Sequence, residues 1–288
     1  MSIENRRQRD LAWCLQSQPL IVDDADTIRW PDPAWFEALD AELDPACLPV
    51  PPHPHHFRLG QHFEAMLDAW LTRQPGIDVV DKNLQVRAGK RTIGEFDFLV
   101  TCGGRLEHWE AAVKFYLGTG DGRTLAAWYG PNTSDRFDIK LRRLVEHQLV
   151  LGEDPHARTL LADRGLNLNA SRCFMKGRLF HPWERFHSNE WLVPDVVNPA
   201  HERGWWLPRA DFLPVFTGLA CRFVYLPKSL WLAPLTPADY DDSLSCWELT
   251  QLLDSPATEQ ATHVAMVAEE GEISRGFIIT NQWLNRIT

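Results

Sequence analysis

The sequence predicts a mixed α/β (α+β) fold, in which one helix leads into three strands and a second helix leads into a fourth. Three observations carry this expectation. Apolar residues recur at helical spacing over residues 59–71. Three stretches rich in β-branched and aromatic residues lie between Ile77 and Leu117, joined by connections of a few residues. A second helical stretch and a further strand over 172–180 follow.

Taken in order, residues 1–57 read as an irregular N-terminal arm. A short helix fits 11–20, and prolines at 31, 33 and 49–54 then break the chain into an extended strap. Leu59, Phe63, Leu67, Trp70 and Leu71 make one apolar helical stripe that Pro75-Gly76 ends, with Glu64 at the edge of the stripe. Strands are expected over 77–86, 92–100 and 106–117. The short turns Ala88-Gly89-Lys90 and Thr101-Cys102-Gly103-Gly104 make them an antiparallel meander. The glycine-rich stretch 118–122 reads as a flexible loop. Gly130-Pro131-Asn132-Thr133 is a break, and Ser134 is the expected N-cap of a helix running to about Val150. Beyond Pro182 the chain turns to aromatic, proline-interrupted pieces around Trp205-Trp206, Phe223–Leu226 and Leu230–Leu232. A helix over 243–254, capped by Ser243 or Ser245, and strands over 263–268 and 276–280 complete it. This divides the chain into the arm 1–57, an α/β core 58–185 and an aromatic, β-rich C-terminal extension 186–288, the central sheet of the core being mixed and flanked by helices.

Composition excludes several classes. With 29 basic against 39 acidic residues the net charge is −10, so a chain-wide basic nucleic-acid surface is absent, though a local patch is not. No apolar run approaches the roughly 18–20 residues of a membrane span. Residues 1–10 carry three arginines and no apolar segment, so no signal peptide is expected, and a cytoplasmic location is. The six cysteines form no CxxC and read as reduced thiols. The thirteen tryptophans are expected in the core, and sugar recognition would rest on their number alone. The histidines at 53, 55, 56 and 62 lack a zinc-site spacing, and the glycines at 118, 120 and 122 match neither a Walker loop nor a dinucleotide fingerprint.

Chemistry concentrates in Gly94-Glu95-Phe96-Asp97-Phe98-Leu99 and Glu107-His108-Trp109-Glu110-Ala111-Ala112-Val113-Lys114. Side chains alternate along strands, so Glu95 and Asp97 share one face, and His108, Glu110, Ala112 and Lys114 share another. If the two strands pair, acids and a lysine meet, and the helix carrying Glu64 can pack on that side. Clustered carboxylates favour a hard divalent cation, Mg²⁺ or Mn²⁺. A neighbouring lysine can hold a phosphate oxygen or position water, which is the equipment of metal-assisted phosphodiester hydrolysis. The plainer alternative is an ion-pair network on a solvated sheet face.

These residues resemble the PD-(D/E)xK nuclease-like superfamily, with its restriction-endonuclease-like core. The wider wording, from Leu59-Gly60-Gln61-His62-Phe63-Glu64 to Gly130-Pro131-Asn132 and more weakly on to Gly204-Trp205-Trp206, resembles the bacterial family DUF1853. The resemblance implies an α-β-β-β-α-β core and a metal-dependent nuclease acting on nucleic acid. By it, Asp97 matches the metal-binding aspartate of the second strand, Lys114 the motif lysine, and Glu64 a further ligand on the first helix. The superfamily's acid two residues before the lysine is Ala112 here, and Glu110, four before it, is the substitute. That departure makes a catalytically inactive binding or assembly module the alternative. Glu95, Asn132 and Asp135 are secondary candidates. Arg136, Lys140 and Arg143 on the second helix, with Arg87 on the hairpin, are the candidate phosphate contacts, against a plain solvated helix face.

Overall fold

The computed structural model describes residues 3–24, 26–31, 48–50, 58–240, 242–254 and 261–287. His53, His55, His56, Cys47 and most of the proline strap lie outside them. Among the described residues the helices are α1 (Ile3–Gln16), α2 (Leu59–Leu71), α3 (Phe137–Arg143), α4 (Pro155–Asp163), α5 (Trp183–Ser188), α6 (Arg209–Phe216), α7 (Cys246–Leu253) and α8 (Asn281–Leu284). The strands are β1 (Ile77–Ala88), β2 (Arg91–Cys102), β3 (Arg105–Gly118), β4 (Trp128–Tyr129), β5 (Leu168–Pro182), β6 (Glu202–Pro208), β7 (Arg222–Tyr225), β8 (Ala261–Ala268) and β9 (Gly271–Ile279). They form a mixed sheet in the order β1-β2-β3-β5-β6-β9-β8-β7, with β4 beside β3. No described helix is long and apolar enough to cross a membrane.

The chain forms two compact units, 2–113 with 139–177, and 114–138 with 178–288. In the first, β1, β2 and the start of β3 are the expected antiparallel meander. Leu84, Val86, Phe96, Leu99 and Leu106 pack there against Leu151 and against Ala157 and Leu161 of α4. A second aromatic group joins Phe63 of α2 and Trp109 of β3 through Phe174 of β5, with ring centroids 5.8 and 6.3 Å apart. Helix α2 has the predicted bounds because its stripe, Phe63, Met66, Leu67, Trp70 and Leu71, is buried.

The second unit is where parallel pairing enters. β6 pairs parallel to both β5 and β9, while β8 runs antiparallel to β9 and to β7. Helices α6 and α7 cover Trp205, Phe223, Val264 and Ile278. Arg275, 1% exposed, holds the irregular strap 231–233 by donating to the carbonyls of Trp231, Leu232 and Ala233, and it pairs with Glu272. The stretch 118–122, expected to be flexible, is tied down: the Trp128 indole donates to Gly122 O at 2.9 Å and Thr119 N to Ala127 O at 2.8 Å. Nine of the thirteen tryptophans are buried, which removes the basis for sugar recognition by their number.

The helix expected over 134–150 is shorter and compound. Ser134 lies in a turn, α3 starts at Phe137, and residues Leu144–Gln148 form a π-helical turn with Leu149 N bonded to Leu144 O at 2.9 Å. Where β6 and β9 touch, only hydrogen fits at Gly276: a Cβ there would overlap the Trp205 indole. Gly276→Ala is therefore expected to cost about 1–3 kcal/mol of stability by overpacking. Gly60→Ala in α2, where a Cβ meets open space, should match or exceed wild type. Urea denaturation of the two variants checks this, and equal losses at both sites would contradict it.

Candidate functional site

Asp97 stands where the β-ladder is interrupted. The register sets Lys82 opposite Phe98 and Leu84 opposite Phe96, so Asn83 faces Asp97, and Asn83 has a left-handed φ of 54°. On the other side the β2–β3 ladder ends at Phe98↔Trp109, and the Ala111 N–H donates to Asp97 Oδ2 at 3.0 Å. Strict alternation does not run through this point. Phe96 and Leu99, three residues apart, pack in one cluster, and the Phe96 ring lies edge-on to His108, the residue opposite Leu99.

Glu110 is the most enclosed acid of this group, 2% exposed. Its Oε1 accepts from the Gln148 amide and lies 3.4 Å from Lys140 Nζ. Its Oε2 is buried 3.9 Å from His108 Nε2, and its carboxyl is hydrogen-bonded to that of Asp97. Lys140 also donates to Gln148 Oε1 at 2.9 Å. Eight residues span about 2.2 turns of α-helix, which alone would leave Gln148 out of line with Lys140. The wider π turn takes up the surplus and aims both at Glu110.

Electrostatics join the acids into one cluster. Burial first, and then the charge of Asp97, pushes Glu110 up to about 8. Burial, followed by Asp97 and Glu95, pushes half-buried Glu64 up to about 7. Asp97 is raised too, chiefly by burial, against the Ala111 N–H and the Lys140 charge. Burial alone holds His108 down to about 3, so its ring is neutral. Glu64, Glu95, Asp97 and Glu110 thus act on one another, with Lys140 as the counter-charge.

Lys114 is engaged in the other unit. Its ammonium pairs with Asp135 at 2.7 Å, and the Tyr116 hydroxyl donates to the second Asp135 oxygen at 3.2 Å. Burial and then Asp135 raise that hydroxyl's pKa, and its ring stacks on Phe137. Asn132 shapes the turn before it, its side chain accepting from Ser134 N at 3.2 Å and its carbonyl from Asp135 N at 3.0 Å. Of the candidate phosphate contacts, Arg136 forms a two-bond pair with Asp138, Arg87 donates to Gln85, and Lys140 points to the acids. Arg143 is exposed with no ion-pair partner among the described residues.

Sequence reasoning missed Gln148, whose approach depends on the π turn, and took Lys140 for a phosphate contact. Its position three residues before Arg143 suited an exposed stripe as well as an inward one. Among the described residues no group of three or more His, Cys, Asp or Glu side chains converges as a ready-made metal site. The donor chemistry nonetheless suits a hard cation. All four acids offer oxygen, and at least three are disfavoured as bare anions.

These features define a mixed α/β protein built around a buried acidic cluster. The chain belongs to the DUF1853 family, a domain of unknown function, whose profile matches residues 9–279. No curated protein and no solved structure matches it.

The raised acids set a pH dependence. Between the usual carboxylate range and about pH 8 the native chain keeps protons that the unfolded chain has released, so stability falls as pH rises through that window. Urea midpoints should decline from about pH 5 to about pH 9. Glu110→Gln should flatten most of the decline and be more stable than wild type at its alkaline end, with Glu64→Gln removing part of the rest. A wild-type profile already flat across that range would contradict the assignment.

Proposed function

We propose that the chain is a metal-dependent nuclease that hydrolyses phosphodiester bonds of nucleic acid, with Mg²⁺ or Mn²⁺ held by Asp97, Glu110 and Glu64. The observation that carries this reading is the enclosed group of interacting carboxylates, in which Glu110 is buried, hydrogen-bonded to Asp97 and raised by burial and by that neighbour's charge. A bound divalent ion would polarise the phosphoryl group and lower the pKa of an attacking water. The chain's own parts in such a step are distinct. Asp97 is oriented by the Ala111 N–H, Gln148 fixes one oxygen of Glu110, and Glu95 adds negative potential that draws the cation. The resemblance to PD-(D/E)xK nucleases gives the lysine role to Lys114, whereas the lysine beside Glu110 is Lys140. Arg143 and Arg87, both exposed, are the groups best placed to meet phosphates. We place this work in the cytoplasm, in keeping with the free state of the described cysteines.

Ala112 at the superfamily's usual acidic position and the Lys114–Asp135 pair favour a second reading, a nuclease-fold module that binds without cutting. Calorimetry with Mg²⁺ and Mn²⁺ separates the two. A nuclease should bind the ion more tightly as pH rises toward about 8 and release protons on binding. Asp97→Asn should weaken binding by at least the ~10–100-fold that loss of an outer-shell partner costs. Cleavage of single- and double-stranded DNA and RNA should vanish in Asp97→Asn, and comparison of Lys114→Met with Lys140→Met identifies the working lysine. Nucleic-acid binding unaffected by divalent ions, with no cleavage of any substrate, would establish the binding module instead.

A further inference from the structure

Two of the cysteines, far apart in sequence, stand close to a small antiparallel bridge in the second unit, one on each of its segments. Phe223 of β7 and Leu244 exchange both backbone hydrogen bonds, each at 2.7 Å. Cys221, the residue before β7, and Cys246, the first residue of α7, each stand two residues from that bridge, toward the same end of it. Arg222 reinforces the pairing by donating to Ser243 Oγ at 2.8 Å and to Ser243 O. Both thiols are half-buried, and both pack against the core cluster of Trp205, Phe212, Phe223 and Leu249. A disulfide asks for Cβ atoms about 3.5–4.5 Å apart, an approach that a strand end and a first helical turn can supply. The charge of Cys246 also bears on Cys221, as neighbouring sulfurs require.

We propose that Cys221 and Cys246 are a reversible redox pair, closing a disulfide that locks edge strand β7 to the start of α7. The oxidant is a low-molecular-weight disulfide such as glutathione disulfide. One protein thiol loses its proton, and its thiolate attacks a sulfur of the oxidant. That bond breaks, one thiolate leaves, and a mixed disulfide remains. The second protein thiol, also deprotonated, attacks the protein sulfur of the mixed disulfide and expels the second small thiolate. Two protein thiols are oxidised to one disulfide, and one small disulfide is reduced to two thiols. The closed loop contains the strap 231–233 that Arg275 holds, so oxidation restrains a segment otherwise fixed by hydrogen bonds to one arginine. Helix α7 caps itself through the Ser245–Glu248 box, which leaves the Cys246 thiol outside that cap.

The pair is independent of any nuclease activity, and its test reads chemistry rather than turnover. The full chain is incubated with glutathione disulfide, remaining thiols are alkylated after unfolding, and peptides are mapped by mass spectrometry. A Cys221–Cys246 cross-linked peptide is expected, with the other cysteines alkylated. The melting temperature should rise by about 5–10 °C on oxidation and return on reduction. Cys246→Ser should stop at glutathione on Cys221, with no rise. Full alkylation of both cysteines, or a cross-link joining either one to a different cysteine, would overturn the proposal.

Discussion

Strand β3 is buried along nearly its whole length yet carries glutamates, a histidine, a lysine and a tyrosine. A polar group in that position costs free energy unless a neighbour satisfies it, and the surroundings of β3 follow from this constraint. Glu107 takes two hydrogen bonds from Arg172, at 3.0 and 2.7 Å, and one from the Trp109 indole at 3.0 Å. Lys114 and Tyr116 share Asp135. Glu110 draws in Gln148 and Lys140 through a π turn that a simple helix would not need.

Glu107 and Glu110 are satisfied in contrasting ways. Both are buried on one strand, three residues apart. Glu107 has the forked guanidinium that matches a carboxylate, a charge-assisted pair worth about twice a neutral hydrogen bond. Glu110 has an amide and a lysine at 3.4 Å on one oxygen and shares a hydrogen bond with another acid, Asp97. Were Glu110 there only to hold the fold, glutamine would serve as well without a proton that the unfolded chain releases at neutral pH. An acid that destabilises its own fold at neutral pH is most economically explained by something that binds it.

Much of this was legible in the sequence. The stripe of α2 and the meander signals have strong periods, and the bounds of α2 agree with the expectation. Of the two serines expected to cap α7, Ser243 and Ser245, it is Ser245 that does so. What escaped had physical reasons. Helix α1 begins at Ile3 rather than near Leu11 because its first turns are charged, and the Arg6–Asp10 pair one turn apart supports it where apolar periodicity gives no sign. Helix α4 follows Asp154-Pro155, a valid start signal in a stretch whose apolar face is narrow. The face argument for Asp97 assumed unbroken alternation. The left-handed Asn83 and the diverted Ala111 N–H break it, and neither is visible in a period-two pattern. The acids act on one another all the same, because α2, β2 and β3 bring their charges within reach.

A cation bound there would be a rival of the proton for the same oxygens. At neutral pH the proton on Glu110 does for the fold what a divalent ion would do more completely, removing net negative charge from an enclosed space. Deprotonation without a cation leaves Asp97 and Glu110 facing each other as anions, with Lys140 as their partial remedy. Whatever binds the deprotonated cluster therefore stabilises the native chain by linkage, in proportion to how far its concentration exceeds its dissociation constant. The same reasoning explains why no ready-made three-ligand site is formed. Carboxylates gathered with no ion among them repel one another, and the protons that Glu64 and Glu110 retain relieve that repulsion.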